Sequence, residues 1–260
     1  MSDYLAVAET AAREAGRFLA ERFHGSLKIE KKGQVNLVTD ADRQSEELLK
    51  KIILSEYPDH GFKAEEGTES GTDSEYLWLV DPLDATTNYA HGFPIYCVSI
   101  ALLKNGEIIT GCIYNPNLDE CFIAEPGKGA FLNGERIAVS RTESLDDSLL
   151  ATGFPYDIRE TDDNNLREFA AFATSARAVR RAGSAALDMA YVACGRFDGF
   201  WEFKLAPWDV AAGILLVEEA GGKISSWTGE ECDLFKGEIL ASNSLIHMQM
   251  LDVLTKVRAG

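Results

Sequence analysis

The side chains with the clearest chemical promise are acidic. Asp81-Pro82-Leu83-Asp84 follows directly on the apolar run Tyr76-Leu77-Trp78-Leu79-Val80. Such a run reads as a central strand, and Pro82 fixes the backbone between two carboxylates at its C-terminal end. Thr86-Thr87 come next, where a helix start would offer free N–H groups to an anion. Carboxylates beside an anion site would repel the anion unless divalent cations stood between them. Two more places carry acids of the same promise: Asp209, behind Pro207-Trp208 at the head of an apolar helical stretch, and Glu65-Glu66 in a polar segment. Oxygen donors alone suit a hard cation, magnesium or manganese. The histidines His24, His60, His91 and His247 are not at metal-ligand spacing, which speaks against zinc. A hard-cation cluster beside an anion site suggests phosphoryl chemistry. On spacing alone, another metal-dependent reaction or no catalysis stays open.

The elements that must hold these residues can be read from periodicity. Residues 3–24 and 43–57 show apolar positions at three- and four-residue spacing, the pattern of amphipathic helices. Residues 60–75 are polar, acidic and glycine-punctuated, and read as mostly loop. Strands are expected over 76–80, 95–103, 107–114 and 120–124, with Lys104-Asn105-Gly106 as a hairpin turn. That is antiparallel sheet. Beyond it the pattern alternates: strand over 149–152, helix over 163–178, a short link or strand at Val179-Arg180, helix over 184–194 capped by Ser184, strand over 197–201, and helix over 208–220 stopped by Gly221-Gly222. Ser140 to Ser144 is polar. The chain is accordingly divided into an α+β half, 1–143, and an α/β half, 144–260.

Composition bounds the partners. The 260 residues carry 25 Lys+Arg against 42 Asp+Glu, a net charge of −17. A general nucleic-acid binder would carry a basic footprint, so no direct nucleic-acid partner is expected, and no anionic membrane surface. Cys97, Cys112, Cys121, Cys194 and Cys232 are scattered without a CxxC pair, against a disulfide framework or structural zinc. They read as small buried hydrophobes in a reducing compartment. No apolar run is long enough to span a membrane, and the N-terminus lacks a signal-peptide pattern, so a cytoplasmic location is expected.

At the acidic positions a resemblance becomes specific. Trp78-Leu-Val-Asp-Pro-Leu-Asp-Ala-Thr-Thr-Asn-Tyr-Ala-His-Gly-Phe-Pro94 and Trp208-Asp-Val-Ala-Ala-Gly-Ile-Leu-Leu-Val-Glu-Glu-Ala-Gly-Gly222 resemble the two signatures of the inositol monophosphatase family, in the lithium-sensitive, magnesium-dependent sugar-phosphatase group. Gly183-Ser184-Ala185-Ala186, Glu202, Asn36 to Asp42, and Glu65-Glu66 match further family positions. The match runs over essentially the whole chain.

The resemblance implies a five-layer α-β-α-β-α sandwich and a magnesium-dependent phosphatase acting on a small phosphorylated cyclitol or sugar, foremost inositol 1-phosphate. Two or three Mg2+ ions are implied, with Mn2+ as a substitute. Glu65, Asp81 and the Leu83 carbonyl would hold the first, and Asp81, Asp84 and Asp209 the second. Asp42 would hydrogen-bond Thr86, which would orient the attacking water. The N–H groups of Ala85 and Thr86 would cradle phosphate, while Ser184, Ala185, Glu202 and Asp209 would line the substrate side. A homodimer is implied. Fructose-1,6-bisphosphatase, histidinol-phosphatase or a related sugar-phosphate phosphatase are alternatives, as is a non-catalytic regulatory or RNA-processing partner on the same scaffold. Lys31 or Lys32 is a candidate for a loop closing over the site. Tyr89 and Phe93 read as core, Trp208 as packing beneath Asp209, and His91 as a structural hydrogen-bonding residue. The family usually has glycine where this chain has Ala85. The threonines after it read as a helix start, so an ordinary backbone, φ near −60°, is expected there.

Overall fold

The structure is a computed structural model and describes residues 2–23, 25, 29–31 and 37–259. His24, Asn36, Lys32 and the Lys31 side chain lie outside the described residues.

Two helices cover one side of the molecule. Helix α1 (Asp3–Arg22) starts where the Ser2 hydroxyl accepts from the Leu5 N–H at 3.2 Å, and it buries Leu5, Ala8, Ala12, Ala15 and Leu19 as one stripe. The short strands β1 (Ile29–Lys31) and β2 (Leu37–Thr39) pair antiparallel and lead into helix α2 (Asp40–Glu56). Thr39 caps α2 and Asp42 reaches back to it, a reciprocal capping box.

Against these helices lies an eight-stranded sheet. Its strands are β3 (Gly61–Ala64), β4 (Glu69–Ser70), β5 (Tyr76–Asp84), β6 (Cys97–Lys104), β7 (Glu107–Asn115), β8 (Glu120–Glu125), β9 (Gly129–Leu132) and β10 (Glu135–Arg136). Their order is β10-β9-β8-β7-β6-β5-β3-β4, antiparallel except where β3 runs parallel to β5. Side chains of β5 alternate across it. Trp78 and Val80 pack with α1 and α2, while Leu79 faces the other way.

After the small helix α3 (Thr86–Ala90), the remaining elements are β11 (Leu149–Thr152), α4 (Leu166–Ser175), β12 (Ala178–Arg180), α5 (Ala185–Ala193), β13 (Gly199–Glu202), α6 (Pro207–Glu219), β14 (Lys223–Ser225), β15 (Ile239–Ser242) and α7 (His247–Ala259). The strands form a five-stranded sheet, β12-β11-β13-β15-β14, with β11 parallel to both its neighbours. Helices α5 and α6 are buried between the two sheets, touching Leu79, Ile113 and Phe122 of the larger and Ala151, Phe200 and Ala241 of the smaller. That position explains their composition. Every residue of α5 is buried, and α6 is apolar from Val210 to Val217. On the outer face of the smaller sheet, Phe172 of α4 and Met250 and Leu254 of α7 close a third core with Leu150, Trp201 and Leu240. The layers are therefore α-β-α-β-α, as the resemblance implied.

Several local expectations need correction. The stretch 60–75 is mostly loop, as expected, but it also holds β3, which adds to the edge of β5 by a long-range pairing that local composition does not show. Strand β5 does not stop at Val80 but continues through Pro82 to Asp84, with a register shift between Asp81 and Asp84. Tyr89 is fully buried, but Phe93 is 50% exposed, because the chain after α3 turns along the surface. His91 is exposed too. Ala85 has φ 74° and ψ 46°, the left-handed region, where a right-handed start was expected. The chain must reverse between β5 and α3 in one residue. Alanine is held there although it favours the opposite hand, and it packs against the α1/α2 core.

Candidate active site

A cleft of about 410 Å³ opens where the two sheets' strand-to-helix junctions meet. From the larger sheet come Asp81, Leu83 and Asp84 at the end of β5, with Ala85 and Thr86 entering α3; Glu65 stands just past β3. From the other half come Ser184 and Ala185 at the start of α5, Glu202 at the end of β13, and Trp208 and Asp209 at the start of α6. All the expected site residues except Asp42 line this one cavity, and Asp42 stands directly behind Thr86.

Each acid is held in place by protein donors. Asp81 Oδ1 accepts from the Leu83 N–H at 3.0 Å, the local turn that Pro82 enforces. Asp84 Oδ2 accepts from Ser184 Oγ at 2.5 Å and from the Ala186 N–H at 3.0 Å, so α5's first turn grips the end of β5. Asp209 Oδ2 accepts from the Ala206 N–H at 2.7 Å. Ser99 Oγ donates to the Trp208 carbonyl at 3.1 Å, tying α6 to β6. Trp208 is half-buried against the core between the sheets and lines the cleft.

The electrostatics are those of crowded anions. Asp81 is raised well above the usual carboxylate range by burial and then by the charges of Glu65, Asp84 and Asp209. Asp209 is raised well too, by burial and by Asp84 and Glu65. For Asp84 burial again leads, partly opposed by Ser184 and Ala186. Glu202 is pushed up to about 8 by burial, against the opposing charge of Arg181. Glu202 lies against Gly153: an added Cβ there would fall 2.2 Å from Oε1, so a larger residue would have to displace the carboxylate.

Asp42 is fully buried. Its Oδ2 accepts from the Thr39 N–H at 2.8 Å and from Thr39 Oγ1 at 2.5 Å, and its Oδ1 accepts from Thr86 Oγ1 at 2.7 Å. Burial raises its pKa. Thr86 Oγ1 also lies 3.2 Å from the Leu83 carbonyl.

Sequence reading missed two acids. Glu46 of α2 accepts from the N–H groups of Glu66 at 2.8 Å and Thr68 at 3.2 Å, and so shapes the turn that carries Glu65. Asp188 is 1% exposed, lines the cleft, and has one oxygen without a hydrogen-bond partner. Burial and the charges of Glu202 and Asp84 push it well up. Its signal was available: it is the only acid inside the apolar run 185–194.

Among the described residues no three His, Cys, Asp or Glu side chains stand gathered on one point as a finished metal cage. The donor set nevertheless fits a hard cation. It is all oxygen, it carries a surplus of mutually repelling charge, and Asp81 and Asp209 each commit one oxygen to a single backbone N–H. A divalent ion would relieve that repulsion by drawing the carboxylates in.

The comparisons with known proteins agree. The inositol monophosphatase family model matches residues 1–258. An inositol-1-monophosphatase of Synechocystis is 45% identical over 256 residues, covering 98% of this chain and 89% of that one. The Nus factor SuhB of Pseudomonas aeruginosa is 42% identical over 251 residues, covering 94% and 93%. Among solved structures, the inositol monophosphatase of Anabaena superposes with a TM-score of 0.90 at 46% identity, covering 97% and 95%. The extragenic suppressor protein suhB of Bartonella henselae superposes at 0.93 and 42%, covering 98% and 99%. With the family model matched over residues 1–258 and the fold shared with solved relatives, the chain belongs to the inositol monophosphatase family.

Proposed function

We propose that this protein is a magnesium-dependent phosphomonoesterase that hydrolyses an inositol monophosphate, foremost inositol 1-phosphate, to inositol and phosphate. One observation carries the reading: carboxylates from both halves of the fold share a single cleft with the hydrogen-bonded pair Thr86–Asp42. Glu65, Asp81 and the Leu83 carbonyl would hold one ion, and Asp81, Asp84 and Asp209 a second. Magnesium, when bound, supplies positive charge to the phosphoryl oxygens and acidity to water. Manganese would substitute on the same donor chemistry.

The chain's own groups do the rest. Thr86 Oγ1 donates to Asp42 Oδ1, which leaves its lone pairs to accept a hydrogen bond from the attacking water. Thr86 thereby orients the water, and a proton can pass through Oγ1 to Asp42, whose other oxygen Thr39 holds still. The N–H groups of Ala85 and Thr86, fixed by the left-handed turn, offer donors to phosphoryl oxygens before the reaction begins. Ser184 holds Asp84 in position, Ala185 and Asp209 shape the wall, and Glu202, near neutrality in its titration, both donates to and accepts from polyol hydroxyls.

A second reading, a regulatory or RNA-processing partner, is favoured by the Pseudomonas aeruginosa relative's designation as a Nus factor. A net charge of −17 weighs against direct nucleic-acid contact. The deciding experiment is phosphate release with Mg2+ from inositol 1-phosphate, fructose 1,6-bisphosphate and histidinol phosphate. Turnover of inositol 1-phosphate that stops on chelation supports the enzyme. Silence with all three overturns it in favour of the second reading. Among the described residues no helix is long and apolar enough to cross a membrane. A cytoplasmic homodimer completes the reading, and light scattering on the purified protein tests the dimer.

A further inference from the structure

Three polar side chains stand together on one buried face of α2, and each reaches a different segment of the acid-bearing wall of the cleft. Asp42, Ser45 and Glu46 follow one another at three- and one-residue steps, and the same face continues as the apolar stripe of Leu49 and Ile53. Asp42 holds Thr86. Ser45 Oγ donates to the Pro82 carbonyl at 2.8 Å. That carbonyl lies where the pairing of β5 with β6 shifts register between Asp81 and Asp84, so Ser45 fixes the link between the two carboxylates from behind. Glu46 spreads both oxygens over the turn after β3: Oε2 accepts from the Glu66 N–H at 2.8 Å and Oε1 from the Thr68 N–H at 3.2 Å. The same turn is closed by the Ala64 N–H on the Thr68 carbonyl at 3.0 Å, and the Glu65 N–H joins it to the Val80 carbonyl at 3.3 Å. Glu65 is thus carried on a turn two of whose amides meet a buried carboxylate. A buried carboxylate is a costly way to satisfy two N–H groups that water could serve.

We infer that Glu46 and Ser45 are positioning residues: with Asp42 they make one face of α2 the rigid template that sets Glu65 against the Asp81–Asp84 turn at the separation a divalent cation requires. The inference rests on the metal-dependent reading above, and Glu46 and Ser45 act through Glu65 and the turn rather than on the ion. Helix α2 suits the task. Its first turn is locked by the Thr39–Asp42 capping box and its later turns are anchored in the core by Leu49 and Ile53, so the three polar groups move as one body. Glu65 and Asp81 come from two different strands, and α2 is the element that bonds to the segments bearing both. Groups that orient metal-binding side chains typically change metal affinity or activity by about 10–100-fold when lost, because the ion must then supply the order itself.

Calorimetry of Mg2+ binding to the full chain reads the proposal apart from catalysis. Glu46→Gln sets an amide NH2 group against one of the two N–H groups and should weaken Mg2+ binding about tenfold. In phosphate release from inositol 1-phosphate, the Mg2+ concentration for half-maximal rate should rise by the same factor. Excess Mg2+ should restore most of kcat and leave KM within about twofold of the wild type, because the Thr86–Asp42 pair is untouched. Ser45→Ala, which removes one hydrogen bond, should weaken Mg2+ binding about threefold. The control is Asp198→Asn, a buried carboxylate remote from the turn, which should lower Tm without moving the Mg2+ midpoint. Unchanged Mg2+ affinity in Glu46→Gln, or in Ser45→Ala should Glu46→Gln not fold, overturns the inference and leaves the phosphatase reading standing. Weakened Mg2+ binding in a protein whose wild type releases no phosphate from any of the three esters does the reverse. A wild type that binds no Mg2+ overturns both.

Discussion

Two regions of this molecule bury carboxylates, and they solve the same problem differently. Asp198, just before β13, is 7% exposed and fully provided for: Oδ1 accepts from Ser140 Oγ at 2.5 Å and Oδ2 from the Leu149 N–H at 2.7 Å. No other carboxylate is needed to explain it. It ties the polar stretch before β11 to the smaller sheet. In the cleft, Asp81, Asp84 and Asp209 are packed beside one another and beside Glu65, and their pKa values rise through burial and mutual repulsion. Asp198 has a donor on each oxygen, whereas the Leu83, Ser184, Ala186 and Ala206 donors to Asp81, Asp84 and Asp209 fall on one oxygen apiece and leave the set short of positive charge. Burial of an acid is therefore no mark of function. A shared field that the chain's own donors do not satisfy is the informative feature.

The sharpest way to break this contrast is Asp84→Asn. It keeps the size and the contact with Ser184 but removes a charge from the cleft. Loss of several kcal/mol of transition-state stabilisation corresponds to a fall in kcat of roughly a thousandfold, with folding retained. Near-full activity in this variant would mean that the cleft charge is not catalytic. Next in size is the linkage between Mg2+ and folding. At about a hundred times its Kd the ion should stabilise the wild type by about 2.7 kcal/mol, seen as a rise in Tm, and Asp84→Asn should lose most of it. Asp198→Asn probes the other region. It should cost about 2 kcal/mol, lowering Tm by roughly 4–8 °C, while kcat and the Mg2+ response stay unchanged. If Asp198→Asn altered the metal response, the separation between the two regions would collapse.

Glu202 gives a pH test in metal-free protein. Its folded pKa of about 8 lies above its ordinary value of 4.5, so between these values the folded state holds a proton that the unfolded state has released. Its contribution is present below pH 4.5 and is lost as pH rises towards 8, at no more than about 1.4 kcal/mol per pH unit. Chemical denaturation across that range should show a shallower dependence in Glu202→Gln. An unchanged slope would mean that Glu202 does not titrate there. The smallest effect belongs to Ala85→Gly. Glycine relieves about 1 kcal/mol of left-handed strain, offset in part by its unfolded-state entropy, so Tm should rise slightly. A fall in Tm would show that Ala85's packing against the α1/α2 core outweighs the strain.

Much of the scaffold was legible because its causes are local. Helices α1 and α2 follow from the period of Leu5, Ala8, Ala12 and of Leu49, Ile53. The start of β5 follows from the apolar run Tyr76 to Val80, although the strand runs on through Pro82 to Asp84. The candidate carboxylates could be named because acids at the heads of apolar elements are out of place. Other features have causes far away in the chain. Strand β3 exists because β5 offers it an edge. Phe93 is exposed because the chain beyond α3 follows the surface. Glu46 matters only because Glu66 and Thr68 come back to it, and Asp188 only because α5 carries it to the cleft wall. Ala85 is the clearest case. By itself alanine prefers a right-handed backbone, and only the fixed positions of β5 and α3 impose φ 74°. The sequence thus determined which acids the chain possesses and which elements bear them. Tertiary structure decided which of those acids share one field and which carry their own donors, because electrostatic energy depends on distance and burial, and neither is a property of position along the chain.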